Sequence, residues 1–204
     1  MKASSDAARQ QPSPSPTPPP LRAVVVGSGL EASFRRPESA SERAAHRLAQ
    51  SLSLPHRPIG DPRAPHGQLG QLQASSGGWL ASLPLDPGHP LEAGGSWAEA
   101  LGAWRQPTLL IIAGQQLPSG AAAASVALLR QWRVPLLGVL QWGGSWNPAQ
   151  RRQDGLPWLG RLEEASLADP DEDALLVAAL LRRRWSCLDH PWSPGEAAGV
   201  MDQG

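Results

Sequence analysis

The chain has 204 residues, 41% of them hydrophobic, and its 18 basic and 18 acidic side chains leave no net charge at neutral pH. That size supports one domain with a sizeable core, and the balanced charge gives no general attraction to nucleic acid or to an anionic membrane surface. The lone Cys187 excludes an internal disulfide and a cysteine-rich metal centre, no apolar run reaches the roughly 20 residues that a spanning helix needs, and the amino terminus lacks the apolar core of a signal peptide, so a cytoplasmic protein is expected.

Residues 1–20 are rich in Pro, Ser, Gln and Ala and hold almost no large apolar side chains. Such a segment cannot offset the entropy of ordering, and a disordered tail is expected there. A single domain is expected over residues 21–185. It starts with strand Leu21–Val26, a β-branched run that ends at Gly27-Ser28-Gly29. Helix Ala40–Leu52 follows, with Ala44, Ala45, Leu48 and Ala49 on one side and Glu42, Arg43 and Arg47 elsewhere, the pattern of a half-buried helix. Ser96 and Glu99 stand three apart and cap each other's free backbone donors, which opens a helix over Ser96–Arg105. Thr108–Gly114 is continuously apolar and reads as a strand buried on both faces. A small-residue helix over Ser119–Trp132 and a strand over Val134–Gln141 complete a strand–helix–strand unit, whose crossover is parallel. Leu156–Gly160 reads as a short strand. A last helix runs from near Asp171 to Arg182-Arg183-Arg184, with acids at its positive end and bases at its negative end. Residues 186–204 read as a flexible tail. The fold class is α/β, a three-layer, mostly parallel sheet with flanking helices.

The turn after the first strand occupies the place of a phosphate-binding loop. Such a loop reads G-x-x-x-x-G-K-[ST], with backbone amides around the phosphates and a lysine that neutralises them. Here no Gly-Lys pair follows Gly27, Glu31 puts an acid in the loop, and Lys2 is the only lysine of the chain. The scaffold is therefore nucleotide-type without a Walker A motif. The remaining phosphate-site candidates are Gly27, Ser28 and Gly29 with Arg35 and Arg36, whose guanidinium forks do not replace a compact ammonium in a tight nest. The histidines, His46, His56, His66, His89 and His190, show no metal-ligand spacing, and Asp171–Asp173 are helix-opening acids rather than a metal cluster. No metal site is expected. Ser75–Gly78 and Gly143–Ser145 have the composition of backbone anion nests and equally of ordinary loops. No G-x-S-x-G elbow supports a hydrolase triad. Nine tryptophans stand against one phenylalanine and no tyrosine. Trp97 and Trp104 share one helix face, and Trp142, Trp146 and Trp158 are expected in loops at the carboxyl end of the sheet, where open α/β sheets bind ligands and where aromatic anchors serve interfaces.

The run from Gly77 to Leu162 resembles the C-terminal half of dethiobiotin synthetase, a P-loop-fold enzyme that closes a ureido ring from a diamine, carbon dioxide and ATP. Gly77-Gly78-Trp79-Leu80 with Pro84-Leu85 resembles its E-G-x-G-G-x-x-x-P-L element, and Trp104–Leu110 its W-x-L-P-V/T-x-L segment. Leu136–Gln141 is similar to its G-V-V-L-N strand and Pro157–Gly160 to its P-V-L-G strand. The resemblance implies base contacts at Gln141 and Trp158 and places the family's second lysine near Arg57-Pro58, which makes Arg57 a further phosphate candidate. It implies a homodimer or a small-molecule ligand as partner. The departures argue against catalysis: the magnesium-binding glutamate falls on Ala74, the base-contacting asparagine on Gln141, and both lysines are missing. Between Ile59 and Gly77 there is too little chain for the family's substrate-binding segment. The expectation is a divergent, non-catalytic protein that binds a partner, a second copy or a small ligand. The alternative is an ATP- and Mg2+-dependent cyclo-ligase with a rebuilt loop at Gly27–Arg36.

Overall fold

Six strands form one open sheet in the computed structural model, which describes residues 19–28, 39–163 and 172–188. In chain order the elements are β1 (Arg22–Gly27), α1 (Ala40–Leu52), β2 (His56–Pro58), α2 (Pro65–Ala74), β3 (Trp79–Leu83), α3 (Trp97–Ala103), β4 (Thr108–Ala113), a 3-10 turn (Gly114–Ser119), α4 (Ala121–Gln131), β5 (Leu136–Trp142), α5 (Pro148–Gln153), β6 (Trp158–Leu162) and α6 (Glu172–Ser186). All fall within the compact unit Pro20–Asp189. The strand order is β2-β3-β1-β4-β5-β6, and every neighbouring pair is parallel.

Strand alternation sorts the core into two layers. Side chains of successive strand residues point to opposite faces, so Ala23 and Val25 of β1 and Leu109 and Ile111 of β4 join the face covered by α1 and α6. Val24, Val26, Leu110 and Ile112 join the other face, covered by α2, α3 and α4. The result is the three-layer α/β architecture expected, with a sheet that is parallel throughout and consistent with a P-loop-like fold.

Local signals set several boundaries. Ser39 caps α1 by accepting from the Glu42 amide, and Ser53 ends that helix at φ 55°, donating to the Ala49 and Gln50 carbonyls. Ser96 caps α3 in the same way through the Glu99 amide. Several boundaries shift from expectation by one or two residues, and two of the differences have a clear local cause. Gly114–Ser119 winds as a 3-10 turn containing Pro118, and Gly120 at φ 76° separates it from α4, which therefore begins at Ala121 rather than Ser119. The short strand expected at Leu156–Gly160 enters the sheet only at Trp158, because Pro157 has no amide to donate and the Leu156 amide is held by the Asp154 carboxylate.

Residues 1–18 of the expected amino-terminal tail and 189–204 of the carboxyl-terminal one lie outside the described residues; α6 itself runs through Ser186, and Leu188 packs on the core. No helix among the described residues is long and apolar enough to cross a membrane.

Helix α3 approaches the end of α4 so closely that a Cβ on Gly102 would be driven into the Trp132 carbonyl oxygen, a backbone atom that cannot rotate away. Gly102→Ala is expected to destabilise the fold by about 1–3 kcal/mol in spite of its better helix propensity. Gly67→Ala, on an open surface of α2, is expected to stabilise it by up to about 1 kcal/mol. Urea unfolding followed by circular dichroism separates the two signs.

Candidate functional site

A parallel sheet has one edge where every strand ends, and connections that leave neighbouring strands on opposite faces open a crevice there. From β1 the chain passes to α1 on one face, whereas from β3 and β4 it passes to α3 and α4 on the other. The carboxyl end of β1 is thus the switch point, and Gly27 and Ser28 lie on it.

Among the described residues, several hydroxyls gather at this end. Ser28 is 6% exposed; its amide donates to the Ile111 carbonyl at 3.0 Å, and its Oγ accepts from Ser125 Oγ of α4 at 2.8 Å. Ser41 Oγ donates to the Leu83 carbonyl at the end of β3, 2.9 Å away, and lies 2.9 Å from Ser39 Oγ. Ser41 also flanks Gly27, where an added Cβ would sit 3.7 Å from the serine Cβ and Oγ. The carboxylate nearest the end of β3 in sequence, Asp86, accepts the Gly88 amide at 2.7 Å and so folds its own turn. Ser125, Ser41 and Asp86 escape sequence reasoning. The Asp-Pro-Gly turn after β3 was a usable signal for Asp86, whereas nothing local marks the two serines.

The other predicted positions do not gather here. Gly29, Arg35 and Arg36 lie outside the described residues. Arg57 lies on β2, separated from β1 by β3, and its Nη1 donates to Ser75 Oγ at 3.0 Å. Ser75 precedes β3, so that guanidinium is held toward the amino side of the sheet. Gly77 and Gly78 also precede β3, whose first residue Trp79 pairs with Arg22 at the start of β1; the pair belongs to the edge opposite Gly27. There Gly77 supplies its carbonyl to Arg22 Nε at 2.8 Å, which makes this loop an acceptor of a cation rather than an anion nest. Ala74, the position that the resemblance gives to a magnesium ligand, ends α2 on the same side. These residues do not fit a magnesium ion, and among the described residues no group of three or more His, Cys, Asp and Glu could hold a metal.

Gln141 does reach the carboxyl edge, one residue before the end of β5. It is fully buried, and its Nε2 donates to the carbonyls of Gly143 and Ser145 at 2.8 and 3.0 Å. Its Oε1 is buried without a hydrogen-bond partner. Reading a purine edge takes both a donor and an acceptor from one amide, and here the donor is spent on the chain's own loop. That loop is closely packed: Gly143 and Gly144 adopt φ 64° and 73°, and a Cβ on Gly114 would meet the Gly143 carbonyl at 2.6 Å. The Gly143-Gly144-Ser145 carbonyls thus point at side-chain donors, Arg161 Nη1 among them at 3.1 Å.

Trp142 and Trp158 correct the expectation of three loop tryptophans at one end. Trp142 closes β5 and is buried beneath Arg43, whose guanidinium carbon is 5.6 Å from the ring centroid. Trp158 opens β6 and pairs in register with Val139, well before the end of β5, because a parallel strand begins at the opposite edge from the one where it ends. Its Nε1 donates to both Asp154 oxygens at 2.8 and 2.9 Å, Trp146 meets its ring edge-on at 6.0 Å, and Arg151 covers a face at 5.1 Å. The ring is already enclosed by its own crossover. Trp97 and Trp104 likewise act as packing anchors, donating to the Pro62 carbonyl and to His66 Nδ1.

No family model matches the chain, and no curated protein matches it. The site therefore stands on its own geometry, which among the described residues is a cluster of serine hydroxyls at the switch point. Its internal bond is measurable. Ser28→Ala and Ser125→Ala should each cost about 1 kcal/mol, and the double variant should cost clearly less than the sum; additive losses in chemical denaturation would show that the two hydroxyls do not bond.

Proposed function

We propose that this chain is a divergent, non-catalytic relative of dethiobiotin synthetase, a cytoplasmic α/β protein that acts by binding at the carboxyl edge of its sheet rather than by phosphoryl transfer. One observation carries the reading. Where a phosphate loop needs free amides and an ammonium, Ser28 has its amide in the sheet and its hydroxyl bonded to Ser125, in a chain whose only lysine is Lys2. Phosphoryl transfer is almost wholly positioning and charge stabilisation. A neutral hydroxyl cluster offers hydrogen bonds to a small polar ligand and little to a developing phosphoryl charge.

The second reading, an ATP- and Mg2+-dependent cyclo-ligase, draws support from the strand order, which sets β1 between β3 and β4 with α1 starting behind its carboxyl end. It would require the segment 29–38, with Arg35 and Arg36, to supply the cationic charge.

Calorimetric titration with ATP and magnesium, with and without diaminopelargonate, and a coupled assay for ADP in the presence of bicarbonate decide between them. The expected result is no micromolar magnesium-dependent binding and no ADP above background. Rapid, diamine-dependent ADP formation would overturn the non-catalytic reading and direct mutagenesis to Arg35 and Arg36.

A further inference from the structure

The zero net charge of the chain averages over two unlike edges of the sheet. Asp61, Asp86 and Glu163 follow strands, and Glu42, Glu99 and Glu172 stand in the first turns of helices, all at the carboxyl edge. Among the described carboxylates only Asp154 lies at the amino edge, and it is taken by Arg151 at 3.1 Å and by the Trp158 indole. Arginines occupy that edge instead. Arg57 lies on β2, Arg22 opens β1, Arg105 precedes β4, Arg133 precedes β5 and Arg152 stands in the last turn of α5 before β6. The strand order sets them in a row across the sheet, with neighbouring strands about 4.8 Å apart. A row of guanidiniums suits a linear polyanion.

The middle of the row is a repeated motif. Trp104-Arg105-Gln106-Pro107 follows α3 and Trp132-Arg133-Val134-Pro135 follows α4, and the strands that begin after them pair Thr108 with Leu136. Arg105 and Arg133 are both left-handed, at φ 49° and 55°. Their amides donate to the Gly102 and Arg130 carbonyls, and the next amides reach back to Leu101 and Leu129. Such a cap ordinarily takes glycine, and a side chain at that φ works against stability. Arginine nevertheless stands there twice, exposed, and among the described residues neither guanidinium has a hydrogen bond or an ion pair. Trp132 lies between Arg130 and Arg133 and is 37% exposed. The two caps adjoin, since a Cβ on Gly102 would stand 3.1 Å from Trp132 Cβ.

We propose that the amino edge of the sheet binds single-stranded nucleic acid, with Arg105, Arg130 and Arg133 on successive phosphates and Trp132 stacked on a base. Unpaired bases offer rings to an exposed indole beside their phosphates. A duplex keeps its bases within its own stack, and an acidic peptide carries charge without a ring. An anionic membrane needs apolar area to bury, and the other large apolar side chains exposed among the described residues, Leu175 and Leu176, stand near the start of α6 at the opposite edge. The site shares no residue with the carboxyl edge around Ser28, so its failure would leave the non-catalytic reading untouched.

The experiment is fluorescence anisotropy of a labelled oligothymidine of about 12 nucleotides titrated with the full-length protein at several salt concentrations. The expected Kd is about 1–100 μM at physiological salt, with log K falling against log salt at a slope of about −2 for three phosphates. Trp132→Leu should weaken binding by about tenfold and leave the slope unchanged. Arg105→Gly/Arg133→Gly should weaken it by at least about tenfold and bring the slope to about −0.7. The same double variant should unfold at an equal or higher urea concentration, because glycine suits both caps. A lowered urea midpoint would show that the arginines serve the fold, and would overturn the proposal. So would the absence of binding to the oligothymidine, an affinity indifferent to either variant, or binding at least as tight to a duplex of the same length, to polyglutamate or to phosphatidylserine vesicles.

Discussion

The fold depends on the two-sided burial of β1 and β4. Val24, Val25, Val26, Leu109, Leu110 and Ile112 are fully buried, and no arrangement with helices on a single face would achieve that. Each such side chain contributes about 1.5–3 kcal/mol when removed from water, so exposing one face of either strand would forgo several of them at once. Helices must therefore cover both faces, and strands that need helices on both faces are joined by parallel crossovers. From this constraint follow the common direction of all six strands and the gathering of every strand end on one edge.

The same constraint sets where the polar groups described at that edge go. Backbone groups at the end of a buried strand must be satisfied, and here the protein satisfies them itself: the Ile111 carbonyl by the Ser28 amide and the Leu83 carbonyl by Ser41 Oγ. Gln141 does the same for the loop after β5. These described donors are internal fasteners. Among the described side chains, one buried acceptor has no partner: Gln141 Oε1, under a loop whose backbone comes close to Gly114.

Tryptophan takes a matching role. Trp97, Trp104 and Trp158 each combine packing with an indole hydrogen bond to a loop carbonyl, a histidine and a carboxylate respectively. A chain with short, glycine- and proline-rich connections has few other means of fixing its loops, and an amphipathic ring supplies both area and direction. Among the described residues the large apolar side chains left exposed are Trp132 after α4 and Leu175 and Leu176 on α6.

The sequence by itself determined the elements whose residues carry a strong local period. Helix α1 was legible from Ala44, Ala45, Leu48 and Ala49, α3 from its Ser96–Glu99 capping pair, and β4 and β5 from unbroken apolar runs; together these were enough for the α/β class. Elements without such a period were not legible. β2 is His-Arg-Pro and mostly exposed, α2 buries only Pro65, Leu69 and Leu72 among glycines and glutamines, β3 mixes Ala and Ser into its run, and α5 has no buried residue. These are specified by what they pack or pair against. Tertiary structure alone decided which edge of the sheet each motif reached. Gly77-Gly78 and Trp158 resemble site residues in the one-dimensional order, yet both stand at strand starts, and Arg57 is turned toward the same side. Motif spacing records distance along the chain, whereas a site forms only where strand direction, set by burial of the whole sheet, brings the ends together.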